Sequence, residues 1–198
     1  MTAYWYYLLL PAAYLLGSIS SAIVVTRIMR LEDPRSVGSR NPGATNVLRY
    51  GGKTAAALTL FGDLLKGVVA VVVARAFTPD PMVLALAGLF AFLGHLYPVF
   101  FGFRGGKGVA TGFGVWLALS PWVALALALT WLLVAAVFRY SSLAALVASA
   151  AGPVYVWALL GHWPYVALSL VMGAFLIWRH RTNIKKLLAG EEGRIGKG

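Results

Sequence analysis

Long apolar runs alternate with short polar, mostly basic stretches along the whole chain. The runs lie near 4–26, 54–77, 83–101, 109–120, 122–138, 143–160 and 164–178. A helix that crosses the hydrocarbon core of a bilayer needs ~20 apolar residues, with ~17–25 the usual range, so each run reads as a candidate span. Breakers punctuate the connections: Thr78-Pro79-Asp80-Pro81, Ser120-Pro121 and Gly161-His162-Trp163-Pro164. Met1-Thr2-Ala3-Tyr4 lacks the basic start of a cleaved signal peptide, and the first run is expected to be a retained span.

The fourth run is short. A helix over 109–120 rises only about 18 Å at ~1.5 Å per residue. A single tilted helix over 109–138 would restore the length, but it would put Lys107 and Arg139 on opposite faces. The hairpin reading is kept, with the Gly-rich loop before Val109 dipping into the membrane, where protein or a wet cavity must surround it.

Composition supports a bilayer as solvent. Hydrophobic residues make up 60% of the chain and charged residues 12%, against about 45–50% and about 25% in soluble domains; the mean hydropathy is +0.79. The net charge of +11 does not point to nucleic acid, because the basic residues lie between apolar runs and form no single face. Fifteen of the 17 Lys and Arg fall at 27–53, at 102–108, at Arg139 or in the tail beyond Trp178. These are alternate connections, which the positive-inside bias assigns to the cytoplasm. The expected fold is an all-α integral membrane protein of about seven transmembrane helices, one polytopic domain over 1–198. Its N-terminus lies outside and its C-terminus in the cytoplasm. There is no Cys, which excludes disulfide and thiolate chemistry.

Three basic stretches could carry chemistry. The first, Gly38-Ser39-Arg40-Asn41-Pro42-Gly43-Ala44-Thr45-Asn46-Val47-Leu48-Arg49, places Pro42-Gly43 where a type II turn would give Gly43 a positive φ. Amides released towards a helix start suit an anion; Ser39, Thr45 and Asn46 add polar bonds and Arg49 a fork of donors. A capped loop on the membrane surface is an equally good account. The second, Phe103-Arg104-Gly105-Gly106-Lys107-Gly108-Val109-Ala110-Thr111-Gly112, sets a cation among glycines that admit close backbone approach, without the spacing of a Walker A loop. The third, Arg179 to Glu192, is either a snorkelling belt or a ligand site in which His180 donates to an anion or shuttles a proton.

Within the second run Asp63 and Lys66 share a helix face, three residues apart. Charge at that depth marks a functional candidate, although mutual neutralisation is the preferred account. Ser142, in Arg139-Tyr140-Ser141-Ser142, could touch a ligand or cap a helix. His95 reads as a hydrogen-bonded interior residue and His162 as an outer-interface residue. His, Asp and Glu do not cluster at metal-ligand spacing, so neither a metal nor another cofactor is expected. No His stands five positions before an Asp, and no Gly-x-Ser-x-Gly elbow is present. An enzyme of this sequence would depend on positioning and electrostatics.

Taken in order, these motifs resemble the bacterial acyl-phosphate:glycerol-3-phosphate acyltransferases, the PlsY family. The resemblance covers nearly the whole chain. It runs through Leu16-Gly17-Ser18-Ile19 with Ser21-Ala22, then Gly38 to Arg49, then Gly62-Asp63-Leu64-Leu65-Lys66-Gly67. Gly94-His95 with Pro98-Val99, Phe103 to Thr111, and the His180–Asn183–Glu192 tail complete it. Arg40 departs from the family, which usually has Gly there. The resemblance implies a seven-span fold whose cytoplasm-facing pocket makes lysophosphatidic acid and releases phosphate in phospholipid synthesis. It places the donor phosphate on Ser39, Asn41, the Gly43–Asn46 turn and Lys107, and glycerol-3-phosphate on Arg49, Lys107, Ser142, His180 and Asn183. Lys107, Thr45, Asn46 and Ser39 are the expected catalytic set; Asn41, Gly43, Arg49, Ser142, His180 and Asn183 bind substrate. The implied mechanism is substrate-assisted, with a substrate phosphate accepting the hydroxyl proton.

The implied partners are the two phosphorylated substrates and membrane lipid, and the location is the inner membrane. Small residues such as Gly112, Gly114 and Ala118 could let an acyl chain leave sideways, or could serve helix packing. A transporter of phosphorylated metabolites would also want cations at broken helices, but no inverted repeat is evident. A non-catalytic scaffold would leave all three motifs unexplained.

Overall fold

The computed structural model describes residues 4–196, so the first three residues, Lys197 and Gly198 lie outside it. Helix is the only regular secondary structure among the described residues, and it divides into two compact units, Met1–Leu119 and Ser120–Gly198.

The first unit contains α1 (Leu9–Gly17), α2 (Ser21–Ile28), α3 (Ala44–Phe77), α4 (Pro81–Leu96) and α5 (Val109–Leu119). The first apolar run is therefore not one helix. After a 3-10 turn at Tyr4–Leu8, α1 stops at Gly17 and α2 resumes at Ser21 with a 41° bend. Ser20 is extended at the break, which leaves the Ile19 carbonyl without an amide; the Lys66 ammonium donates to it at 2.8 Å. Irregular backbone among apolar helices persists only where something inside the protein satisfies it.

The second run also differs from expectation. Its helix begins at Ala44, ten residues before the apolar stretch, and is kinked at Gly52 (φ 81°, ψ 178°). The kink separates a polar surface turn from the apolar span. The third run ends as a helix at Leu96, because Pro98 cannot continue it, and a 3-10 turn at Val99–Phe101 follows.

Helices of this unit touch backbone to backbone. A Cβ on Gly67 would overlap the Thr111 carbonyl, and one on Gly114 would overlap the Leu64 carbonyl. Gly114 is thus used to pack α5 on α3, the second of the two uses open to it from sequence. Gly17 and Gly94 do the same for α1 and α4, against Ala91 and Tyr14.

The second unit contains α6 (Pro121–Phe138), α7 (Ser141–Leu160), α8 (Trp163–Arg179) and α9 (Arg181–Leu188). The extended Ser120 caps α6 by accepting from the Val123 amide, so 109–138 is not a continuous helix. Pro153 removes one amide from α7. The carbonyl four residues back, of Ser149, lies 3.4 Å from where a Cβ on Gly173 would stand. The short α9, at the start of the tail, was not apparent as a helix from the apolar pattern.

Among the described residues four helices are long and apolar enough to cross a bilayer, and the bent α1–α2 pair would make a fifth. α5 and α8 are apolar but shorter.

Candidate active site

In the first unit the loop from Arg30 to Gly43 is fixed from within. Asn46 is 2% exposed and its amide is wholly committed. Its Oδ1 accepts from the Ser39 amide at 2.8 Å, while Nδ2 donates to the carbonyls of Pro34 (3.0 Å) and Val37 (3.1 Å). Asn46 thus shapes the loop and leaves no amide group for a ligand. Gly43 does not take the positive φ expected of it: it is extended (φ −158°) and stands at the N-cap of α3. Beyond Arg30 itself (φ 55°), the left-handed positions are Gly38 (φ 58°) and Arg40 (φ 55°), and the Arg40 amide closes a turn onto Val37 O. A three-residue turn centred on Pro42, from the Gly43 amide to Asn41 O at 2.9 Å, delivers the chain into α3.

The amides of Ala44 and Thr45 then stand at a helix start with no acceptor among the described residues. That arrangement suits an anion. Thr45 and Arg49 are exposed along this first stretch of α3; Asn41 is half-buried; the Ser39 side chain is exposed.

Arg35 ties this loop to the next. It holds Asp33 through Nε (3.0 Å) and Nη2 (2.7 Å) and donates from Nη1 to Phe101 O at 3.3 Å. Those hydrogen bonds, more than the opposing partial burial, keep the Asp33 carboxyl below the usual carboxylate range. Its contribution is present above that range and is lost as pH falls through the lowered value.

The second motif leaves the 3-10 turn through Gly102 (φ 63°) and Phe103 (φ 60°) and enters α5 through Gly108 (φ 88°). A Cβ on Gly108 would meet the Phe92 ring, and one on Gly106 would meet the His95 ring and, at 2.9 Å, Pro42 O. The first and second motifs therefore lie against each other at Gly106, one residue before the half-buried Lys107. Beneath them Asp63 Oδ1 is 3.0 Å from Lys66 Nζ and 3.5 Å from His95 Nδ1, all three side chains buried. The lysine contact is an ion pair by distance but is not aligned as a hydrogen bond.

The second unit holds the remaining expected residues. His180, at the α8–α9 joint, is 3% exposed and its Nδ1 lies 2.8 Å from Leu176 O. A carbonyl only accepts, so Nδ1 carries a proton, and Nε2 can donate to an anion only when the ring is charged. Ser142 does not cap α7; its Oγ donates to Glu192 Oε1 at 2.6 Å, and Asn183 Nδ2 donates to the same oxygen at 2.7 Å. Past Gly190 (φ 73°) the tail folds back onto the α6–α7 turn. There the Ile195 amide donates to Arg139 O at 2.7 Å, and Arg194 reaches the Tyr140 hydroxyl at 3.1 Å. His162, at the start of α8, is exposed and meets Tyr165 edge-on.

Comparison with known proteins settles what these motifs belong to. A family model described as glycerol-3-phosphate acyltransferase matches residues 7–190. The chain belongs to that family. A glycerol-3-phosphate acyltransferase of Thioalkalivibrio sulfidiphilus is 57% identical over 188 residues, 95% of this chain and 93% of the relative. One of Methylococcus capsulatus is 55% identical over 190 residues, 96% of each. The crystal structure of PlsY (YgiH), an integral membrane glycerol 3-phosphate acyltransferase, in its glycerol 3-phosphate form is 44% identical. It superposes with a TM-score of 0.91 over 96% of both chains. The lysophosphatidic acid form gives 0.89 at 43% identity, over 96% of this chain and 95% of that one. An all-helical fold with this likeness makes the chain a membrane protein.

Sequence reasoning left two features of this family member undeveloped. Glu192, quoted only as part of the tail, is the shared acceptor for Ser142 and Asn183; its signal was a carboxylate two residues past a helix-ending Gly. The contact of His95 with Asp63 joins residues of two helices, and no local spacing announces it.

Proposed function

We propose that the protein transfers a fatty acyl group from acyl phosphate to glycerol-3-phosphate, giving lysophosphatidic acid and phosphate at the cytoplasmic face of a bacterial inner membrane. Seven spans forming one polytopic domain, with the N-terminus outside and the C-terminus inside, follow from the alternation of basic connections. One observation, added to family membership, carries the reading. The loop that ends in a helix start with unclaimed amides lies directly against the Gly-rich loop that presents Lys107.

The donor phosphate rests on the Ser39 hydroxyl, Asn41, the amides of Ala44 and Thr45 that follow Gly43, and Lys107, whose charge-assisted bond is roughly twice as strong as a neutral one. Thr45 adds its hydroxyl. Asn46 contributes by holding the Ser39 segment in shape. Arg49, Lys107, Ser142, His180 and Asn183 take glycerol-3-phosphate. The acceptor hydroxyl oxygen bonds to the acyl carbon, the carbon–oxygen bond to phosphate breaks, and the hydroxyl proton passes to a substrate phosphate oxygen. Lys107 faces the charge that builds on the departing phosphate. Membrane lipid receives the acyl chain of the product.

The test is purified protein in detergent with acyl phosphate and glycerol-3-phosphate, followed by phosphate release and by mass analysis of the lipid product. Stoichiometric phosphate and lysophosphatidic acid are expected. Uptake of glycerol-3-phosphate into vesicles without phosphate release would replace this reading with a transporter.

A further inference from the structure

A membrane-buried ion pair needs only two members, yet the cluster in the first unit has three. Lys66 lies 3.0 Å from Asp63 and is further satisfied by the Ile19 carbonyl at 2.8 Å, so charge is already balanced. His95 comes from another helix, α4, and turns Nδ1 towards the same carboxylate oxygen at 3.5 Å. The orientation this gives the ring has a consequence on its far side. Nε2 and Cε1 form the surface on which Gly106 sits, so closely that a Cβ there could not be accommodated. The His95 carbonyl accepts from the Gly106 amide at 3.2 Å and also crowds the Cβ position of Gly105. Pro42 O closes over Gly106 from the first loop. The Gly-rich loop is therefore seated on one imidazole, the first loop meets it at the same glycine, and Lys107 is the next residue.

We infer that Asp63 and His95 are positioning residues for acyl transfer. The carboxylate aims the imidazole, the imidazole seats Gly106, and that seat fixes where Lys107 meets the departing phosphate. His95 lies under the loop and does not touch substrate. The inference rests on the acyl-transfer reading. A displacement of ~1 Å at a charge-stabilising group is enough to cost ~10²-fold in rate, and rigid support beneath a site is what prevents it.

Four preparations test this against wild type. His95→Phe keeps a ring and loses both nitrogens, and His95→Gln restores a polar group. Gly106→Ala disturbs the seat from the loop side. Asp63→Asn combined with Lys66→Met removes the ion pair without stranding a charge. Each is measured for thermal unfolding in detergent and for kcat and KM with both substrates. The expected signature is kcat down about 10²-fold in His95→Phe, Gly106→Ala and the double variant, with near-wild-type unfolding in His95→Phe, which neither adds a Cβ nor removes the donor to Ile19 O. The KM for glycerol-3-phosphate stays within about threefold, because Arg49, Ser142 and Asn183 still bind it. His95→Gln recovers part of the rate.

A folded His95→Phe or Gly106→Ala with wild-type kcat overturns the inference. So does a loss confined to KM, and so does unfolding of all four, which would assign the cluster to stability alone. Absence of phosphate release from wild type would instead sink the acyl-transfer reading, and the two failures are distinguishable in one experiment.

Discussion

The glycine crossings of the two units differ in kind. In the first, Gly67 and Gly114 bring the backbones of α3 and α5 into direct contact, so close that any side chain would force the helices apart. In the second, Gly173 faces the Ser149 carbonyl at 3.4 Å from its Cβ position and Gly152 faces the end of the Ser169 side chain at 3.0 Å. Those sites could absorb a methyl group with small shifts. The polar groups follow the same division. Lys107 is delivered by glycines wedged on the helix core, whereas Ser142 and Asn183 are gathered by one tail carboxylate, Glu192. On the proposed acyl-transfer reading, rigid backbone contact supports the residue assigned to the reacting phosphate, and adjustable side-chain bonds support residues assigned to the acceptor.

The sharpest test of this contrast is Lys107→Ala, which should reduce kcat by ~10²–10³-fold, the range for removing one preorganised charge-stabilising donor, while the protein still folds. Retained turnover in steady-state assays would remove Lys107 from the reaction. Arg49→Ala should raise the KM for glycerol-3-phosphate by an amount corresponding to ~1.5–3 kcal/mol, the value of a charged hydrogen bond. If the acyl-phosphate KM rises instead, the division of the two substrates between residues is wrong. Gly67→Val should destabilise by ~1–3 kcal/mol through overpacking, whereas Gly173→Ala should change stability by less than ~0.5 kcal/mol; equal losses in thermal unfolding would erase the distinction between the units.

Glu192→Ala should raise the KM for glycerol-3-phosphate about tenfold, equivalent to ~1.4 kcal/mol, with kcat changing less, and should expose the tail to limited proteolysis. A pure kcat defect would contradict the role given to the clip. Smallest is the effect of pH. With Nδ1 already committed to Leu176 O, His180 donates through Nε2 only as imidazolium. Substrate affinity should therefore weaken as pH rises from about 6 to about 9, and a flat profile in wild type would show that charge at His180 is not used.

Much of the helical order was legible because apolar runs and proline breakers carry it directly: Pro81, Pro121 and Trp163-Pro164 each stand at the start of a helix. Three departures had physical causes that a local pattern does not encode. The break at Ser18–Ser20 depends on Lys66 supplying a donor from 47 residues away. Helix at Ala44–Gly51 lies inside the basic connection 27–53, where no apolar run marks it, and only Gly52 departs from helical geometry. The turn was assigned to Gly43 because Pro-Gly favours it, but the positive φ falls on Gly38 and Arg40, where Asn46 organises the loop from beyond. Of the expected binding residues, Ser142 and Asn183 do come together, through a carboxylate whose role no spacing rule predicts.

The lysine bonded to the carbonyl of Ile19 bears on biogenesis. During synthesis the first apolar segment enters the bilayer before Lys66 has been made, and at that stage its interrupted backbone has an oxygen that lipid cannot satisfy. Maturation of the bent N-terminal pair must then wait for the following segment, so a substitution such as Lys66→Met should lower the yield of inserted protein, while the fraction that inserts remains open to kinetic assay.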